Sequence, residues 1–186
     1  MAISRAEAAA SLQEAESIGR RTRTAGAYGV ASPHLILWGA IWCVGYVGCG
    51  FTQPQYWGFV WLPLIVVGAV AGLILGRRSP VTGADRRGSA GMPILLSLAI
   101  AAFMGSVYIV FQPVAMAAYL VFPALVAALV YVVVGAYGFP RFIWIGCGIF
   151  LAAMASFLFA QAWLPFAIAV AGGGGLLLGG LWLRKI

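Results

Sequence analysis

Uncharged apolar sequence runs through residues 33–76, 88–140 and 142–183, and the charged positions are gathered into the short stretches between and before them. Each run is long enough for two membrane helices of roughly 20 residues once it is split at a polar turn. The pattern therefore predicts six transmembrane helices. The splits are placed by proline, which is tolerated in the first turn of a helix because that position's backbone donor has no intrahelical partner. Pro33, Pro54, Pro93, Pro113, Pro140 and Pro165 each open an apolar run, which places the spans near 33–51, 54–76, 93–111, 113–136, 140–160 and 165–183. The expected organisation is an N-terminal cytoplasmic helix and linker over 1–32, followed by a six-helix transmembrane domain over 33–186.

Two prolines do not mark starts. Pro63 and Pro123 fall inside spans two and four, roughly 14–15 Å from the span starts at 1.5 Å per residue, near the bilayer midplane. Each removes a backbone donor and frees the carbonyl four residues earlier, on Phe59 and Tyr119, so both helices are expected to bend. Span six carries Gly172, Gly173, Gly174 and Gly175 at a similar depth. Pro63, Pro123 and this glycine run form a candidate midplane hinge. Loosened helices at that level line substrate sites in transporters, but proline and glycine also serve packing alone in membrane helices.

Small residues recur every fourth position in Gly68, Gly72 and Gly76, in Ser97, Ala101 and Gly105, and in Gly148, Ala152, Ser156 and Ala160. Such rows let helices approach closely, within one chain or between two copies. Weak echoes link the turns Phe51-Thr52-Gln53-Pro54, Phe111-Gln112-Pro113 and Phe159-Ala160-Gln161, which suits three stacked hairpins.

The segment before the membrane has a different pattern. Over 4–24 Ser4 and Glu7 make a capping box, alanines fill the middle, and Glu16 is placed to pair with Arg20. Glu7, Glu14 and Glu16 precede Arg20, Arg21 and Arg23, the order that complements the helix dipole. This predicts one cytoplasmic amphipathic helix whose apolar face, Ala8, Leu12, Ala15 and Ile18, has only two large side chains. That is too little for firm burial among lipid headgroups, so it calls for a protein surface. Leu12, Glu16, Ile18, Arg20, Arg21 and Arg23 are the candidate partner-binding residues.

Composition agrees with a membrane protein: 63% apolar and 8% charged residues, with mean hydropathy +1.02. Charge adds orientation. All eleven basic residues, at positions 5, 20, 21, 23, 77, 78, 86, 87, 141, 184 and 185, return to one side of a six-span threading. Short loops rich in Arg and Lys stay cytoplasmic, so both termini are expected inside, in a bacterial cytoplasmic membrane. The net charge of +7 is accounted for by topology and by anionic headgroups on the cytoplasmic side, without nucleic acid.

The inventory of reactive groups is short. The four carboxylates, Glu7, Glu14, Glu16 and Asp85, all lie outside the spans, so no proton relay is expected at depth. His34 stands alone at the start of span one. Cys43, Cys49 and Cys147 form no CxxC pair, so no metal or cofactor is expected. The serines within spans have no in-membrane base to activate them. Tyr46, Tyr108 and Tyr119, with Gln53, Gln112 and Gln161 in the outer turns, form the one sizeable polar group in the outer half and a candidate outer vestibule. The expected function is that of a non-catalytic partner or regulatory subunit, docking through the N-terminal helix and the 77–91 loop. An uncoupled channel, facilitator or lipid path at the kinked midplane is the alternative, and an intramembrane enzyme is a remote one. Homo-oligomerisation is compatible with each.

Overall fold

The computed structural model describes residues 5–78 and 91–185, and among these the chain is helical with no strand. Helix α1 spans Arg5–Phe51. A 3-10 turn over Pro54–Tyr56 leads into α2, Trp57–Arg78. Helix α3 is Gly91–Val110, α4 is Met116–Ala136 and α5 is Pro140–Phe159. A second 3-10 turn, Gln161–Trp163, opens a final column made of α6 (Leu164–Ile168), a π-helical segment (Ala169–Gly174) and α7 (Gly175–Leu183). Five of these stretches are long and apolar enough to cross a membrane, and the apolar part of α3, Leu95–Val110, is shorter.

The largest departure from the sequence pattern is at Pro33. The helix expected over 4–24 and the span expected from 33 are one continuous helix of 47 residues, with Pro33 inside it. At 1.5 Å per residue α1 is about 70 Å long, twice what a bilayer core needs. Proline costs a helix the bond to the carbonyl four residues back, here Gly29. A groove of about 580 Å³ opens at that point, lined by Gly29 and Pro33. Water or headgroups reaching it can take up the freed carbonyl. The other boundaries move less. Pro54, Pro140 and Pro165 sit in first turns as expected, α3 starts two residues before Pro93, and α4 starts at Met116 with Pro113 left in the preceding turn. The 79–90 part of the loop and the Ser4 end of the capping box lie outside the described residues.

The core is built by α1, α4, α5 and the final column, around Ala124, Ile149, Ala153, Ile168 and Leu176, all essentially inaccessible. Half of the column is buried inside the protein against 6% of α2, so the column is the central element and α2 a flank. Small residues set the spacing. A Cβ on Gly39 would stand 2.8 Å from the Leu177 backbone nitrogen, and one on Gly180 would stand 3.0 Å from the Ser32 carbonyl. Along the same seam the buried Ser32 hydroxyl donates to the Gly180 carbonyl at 2.8 Å, and the Cys43 thiol meets the Ala169 carbonyl at 3.5 Å. Helix α2 leans on α1 through its glycine row. Gly68 receives Ile41 and Trp38, and Gly72 faces His34, whose Nε2 lies 3.2 Å from the Gly72 carbonyl. Gly68 and Gly72 of that row form an intramolecular seam, whereas a Cβ on Gly76 would meet nothing within 4 Å. The α4–α5 corner turns on Gly138, whose φ of +107° is a conformation that favours glycine.

Helix α3 is the least embedded. Leu95, Leu96 and Leu98 in its first half are exposed, and its ring contacts to α4 come from Phe103 and Tyr108.

Candidate functional site

Three groups of residues were expected to carry function, and the structure treats each differently. The N-terminal segment is helical, and from Ser11 to Gly26 its side chains are exposed, with only Ser17 and Thr24 partly covered. Leu12 is 66% exposed and Ile18 56%, and Glu16, Arg20, Arg21 and Arg23 are open to solvent beside them. Tyr28 is the first deeply buried side chain of α1, packed against Phe139 and Phe142. Residues 5–24 therefore run ahead of the bundle as a rod about 30 Å long, and Ala25 already lines the groove shared with Leu75 and Leu183. Because the rod continues span one without a break, its direction is set by the bundle. A linker at 25–32 would have left it free to fold back onto the lipid surface.

The midplane residues do not converge on one cavity. Pro63 lies on the exposed face of α2, and α2 runs through it as a helix. Pro123 is half-buried on α4 beside the inaccessible Ala124. A Cβ on Gly172 would approach the Trp42 ring at 2.8 Å and Ala124 at 3.9 Å, so Pro123 and the glycine run are neighbours while Pro63 stands apart. Gly172, Gly173 and Gly174 fall in the π-helical segment, whose backbone is wider than an α-helix, and Gly175 opens α7. Gly172 and Gly173 are buried and take α1 at close range, and Gly174 and Gly175 are partly covered. The run lets α1 and the column touch backbone to backbone.

The tyrosine group has a definite geometry. Tyr46 is 2% exposed, held edge-on between Trp42 and Trp61 with ring centroids at 5.7 and 5.1 Å. It is packed into the core and does not open onto a vestibule. Tyr108 and Tyr119 stack with centroids 4.4 Å apart. The Tyr108 hydroxyl donates to the backbone carbonyl of Tyr119 at 3.3 Å. That carbonyl is the one freed by Pro123, so a side chain on α3 supplies the hydrogen bond that proline removed from α4. Tyr108→Phe is expected to leave it unpaired in an apolar surrounding and to cost about 1 kcal/mol. Thermal unfolding in detergent measures the loss. Equal stability of the variant would show that the carbonyl is satisfied in some other way.

Two polar groups had no functional weight in the sequence yet tie elements together. His34 joins α1 to α2, with Nδ1 3.0 Å from the Val30 carbonyl as well as Nε2 on Gly72. Arg141 joins α5 to both α1 and α7. Its backbone nitrogen donates to the Tyr28 hydroxyl at 3.2 Å, its Nη1 donates to the Trp182 carbonyl at 3.2 Å, and its guanidinium stands 4.9 Å from the Trp182 ring centroid. The signal for Arg141 was its position as the lone charge in the 140–142 turn. Its partners come from positions 28 and 182, and spacing along the chain says nothing of them. Of the cysteines, Cys49 is buried, Cys43 partly so, and Cys147 is exposed on α5. Comparison of the chain with protein-family models, with curated proteins and with solved structures found no match, so the reading of function rests on these residues alone.

Proposed function

We propose that this chain is a six-span protein of a bacterial cytoplasmic membrane, with both termini on the cytoplasmic side, that acts as a non-catalytic partner or regulatory subunit. The docking element is the rod at the start of α1, joined by the 77–91 loop, most of which lies outside the described residues. The observation that carries this reading is the exposure of residues 11–26 on a helix that continues a core span without interruption. A helix of that length standing alone in water is marginal, even with favourable caps and charges, and gains stability when an apolar strip is covered. Leu12 and Ile18 supply such a strip, and the acid-to-base order along the rod complements an antiparallel helix of the same polarity. The orientation is supported by the basic residues, all of which fall at one end of the six-span threading.

Gentle solubilisation of native membranes, followed by affinity purification of the full chain and of a chain lacking residues 1–24, tests the proposal. A stoichiometric protein that accompanies the full chain and is lost on truncation is the expected result. If both chains emerge alone or only as homo-oligomers, the subunit reading is wrong. Flux of small neutral solutes through liposomes then decides for the channel or facilitator class.

A further inference from the structure

An open groove of about 500 Å³ runs along the outside of the bundle between α5 and α7. Gly148 and Ala152 of α5 line it opposite Val170 and Leu178, Ile149 and Ile145 are seated on Gly175 and Gly179 beneath, and a Cβ on Gly148 would meet nothing within 4 Å. Trp144 and Trp182 flank one end, 71% and 40% exposed. A cation is fixed at that same end. Arg141 stands one turn before Trp144, and its guanidinium lies over the Trp182 ring while Nη1 binds the Trp182 carbonyl. Lys185 follows Trp182 by three residues, in the exposed turn that ends α7 at the same end of the column.

The charge on Arg141 is not neutralised by a described carboxylate. Glu7, Glu14 and Glu16 are all on the projecting rod, and Glu16 precedes Tyr28, the α1 residue that Arg141 touches, by twelve positions. That is about 18 Å along the helix. A guanidinium has five donors in a planar fork that suits a phosphate, and the contact to Trp182 uses one of them.

We infer that this groove holds one anionic phospholipid, with an acyl chain along Gly148 and Ala152 and the headgroup phosphate on Arg141 beside the two tryptophans. Lys185 supplies a second positive charge. The inference rests on the chain lying in a bilayer and is independent of the subunit reading. A second copy packed on the same face about a two-fold axis would set Arg141 and Lys185 beside their own equivalents, like charge against like. A lipid phosphate meets them with the opposite sign.

The test uses the full chain reconstituted in vesicles of equal phosphatidylglycerol and phosphatidylcholine, then examined by native mass spectrometry. One retained phosphatidylglycerol per chain is expected. Each cation near the surface contributes about fivefold to anionic-lipid binding, so Arg141→Gln with Lys185→Gln is expected to lower retention by about 25-fold. Gly148→Leu places a side chain in the open groove and is expected to remove the lipid with both cations intact and thermal stability unchanged. It keeps the test decisive if the Arg141 variant does not fold. Equal retention of the two lipids by the natural chain, or undiminished retention of phosphatidylglycerol in Gly148→Leu, overturns the inference. So does a two-chain mass that Gly148→Leu converts to a single chain, which would give the groove to a second copy.

Discussion

Gly173→Ala is expected to destabilise the solubilised chain by about 3 kcal/mol, and Gly173→Leu to leave no folded species. A Cβ at this position would stand 2.5 Å from the Cys43 sulfur, 2.7 Å from the Cys43 backbone nitrogen and 2.9 Å from the Gly39 carbonyl. The sulfur can rotate away, but the other two are backbone atoms of α1 and cannot. Relief requires α1 and the final column to separate, and the same seam holds Gly39 against Leu177, Gly180 against Ile36, and the Ser32 hydrogen bond. Lipid tails are as apolar as leucine, so burial gives little drive between helices in a membrane. Close packing and interhelical hydrogen bonds carry the association instead. Thermal unfolding followed by circular dichroism, with size-exclusion chromatography of the unheated sample, measures the effect. Gly148→Ala, where the added carbon meets nothing, is the control and should melt with the natural chain. Unchanged melting of Gly173→Ala would show that the seam is looser than described and that the glycine run has another purpose.

That seam also shows how far the amino-acid pattern reaches. Gly172–Gly175 was visible as a weak point in the last span, because glycine lowers helix propensity wherever it falls. Whether weakness means a hinge or a close contact depends on what faces it, and Trp42, Cys43 and Gly39 are some 130 residues earlier in the chain. Helix positions were legible where proline opens a first turn, as at Pro54, Pro140 and Pro165. Pro33 lies inside a helix and does not start one, and local residues do not reveal the groove that opens beside Gly29 and Pro33. The alanine-rich helix before it and the apolar helix after it are one helix.

The tyrosine group was legible in part for the same reason. Pro123 identified the Tyr119 carbonyl as freed, but which donor reaches it depends on how α3 is rotated against α4, and α3 has a low contrast between its faces. Its polar residues do not mark one face: Ser97 and Tyr108 share a side and Ser106 lies about half a turn away. Tyr46, named with the other two as a candidate for an open vestibule, is buried instead between Trp42 and Trp61. An aromatic residue one turn from a span end is compatible with an interfacial anchor or a core position by spacing alone. Only its neighbours on α1 and α2 decide between them.

Leu12→Ala together with Ile18→Ala is expected to weaken partner binding by about 100-fold while leaving the fold intact. Both side chains are exposed in the isolated chain, so their truncation removes nothing from the core. In a complex that covers them, burying a large aliphatic side chain contributes about 1.5–3 kcal/mol, and losing most of two such contributions corresponds to roughly two decades of affinity. Unlike deletion of residues 1–24, the double substitution keeps the rod helical, since alanine is the better helix former. It therefore separates loss of a binding surface from loss of a helix. Retention of the partner on solubilised full chain and double variant measures the effect, with melting temperature recorded in parallel. Charge provides the contrast. If the rod meets anionic headgroups and not a protein, Leu12 and Ile18 have little to bury. Arg20→Gln, Arg21→Gln and Arg23→Gln would then weaken vesicle binding in a salt-dependent way, and the apolar pair would be silent. A double variant that still carries its partner would move the docking site off the rod and onto the cytoplasmic loop.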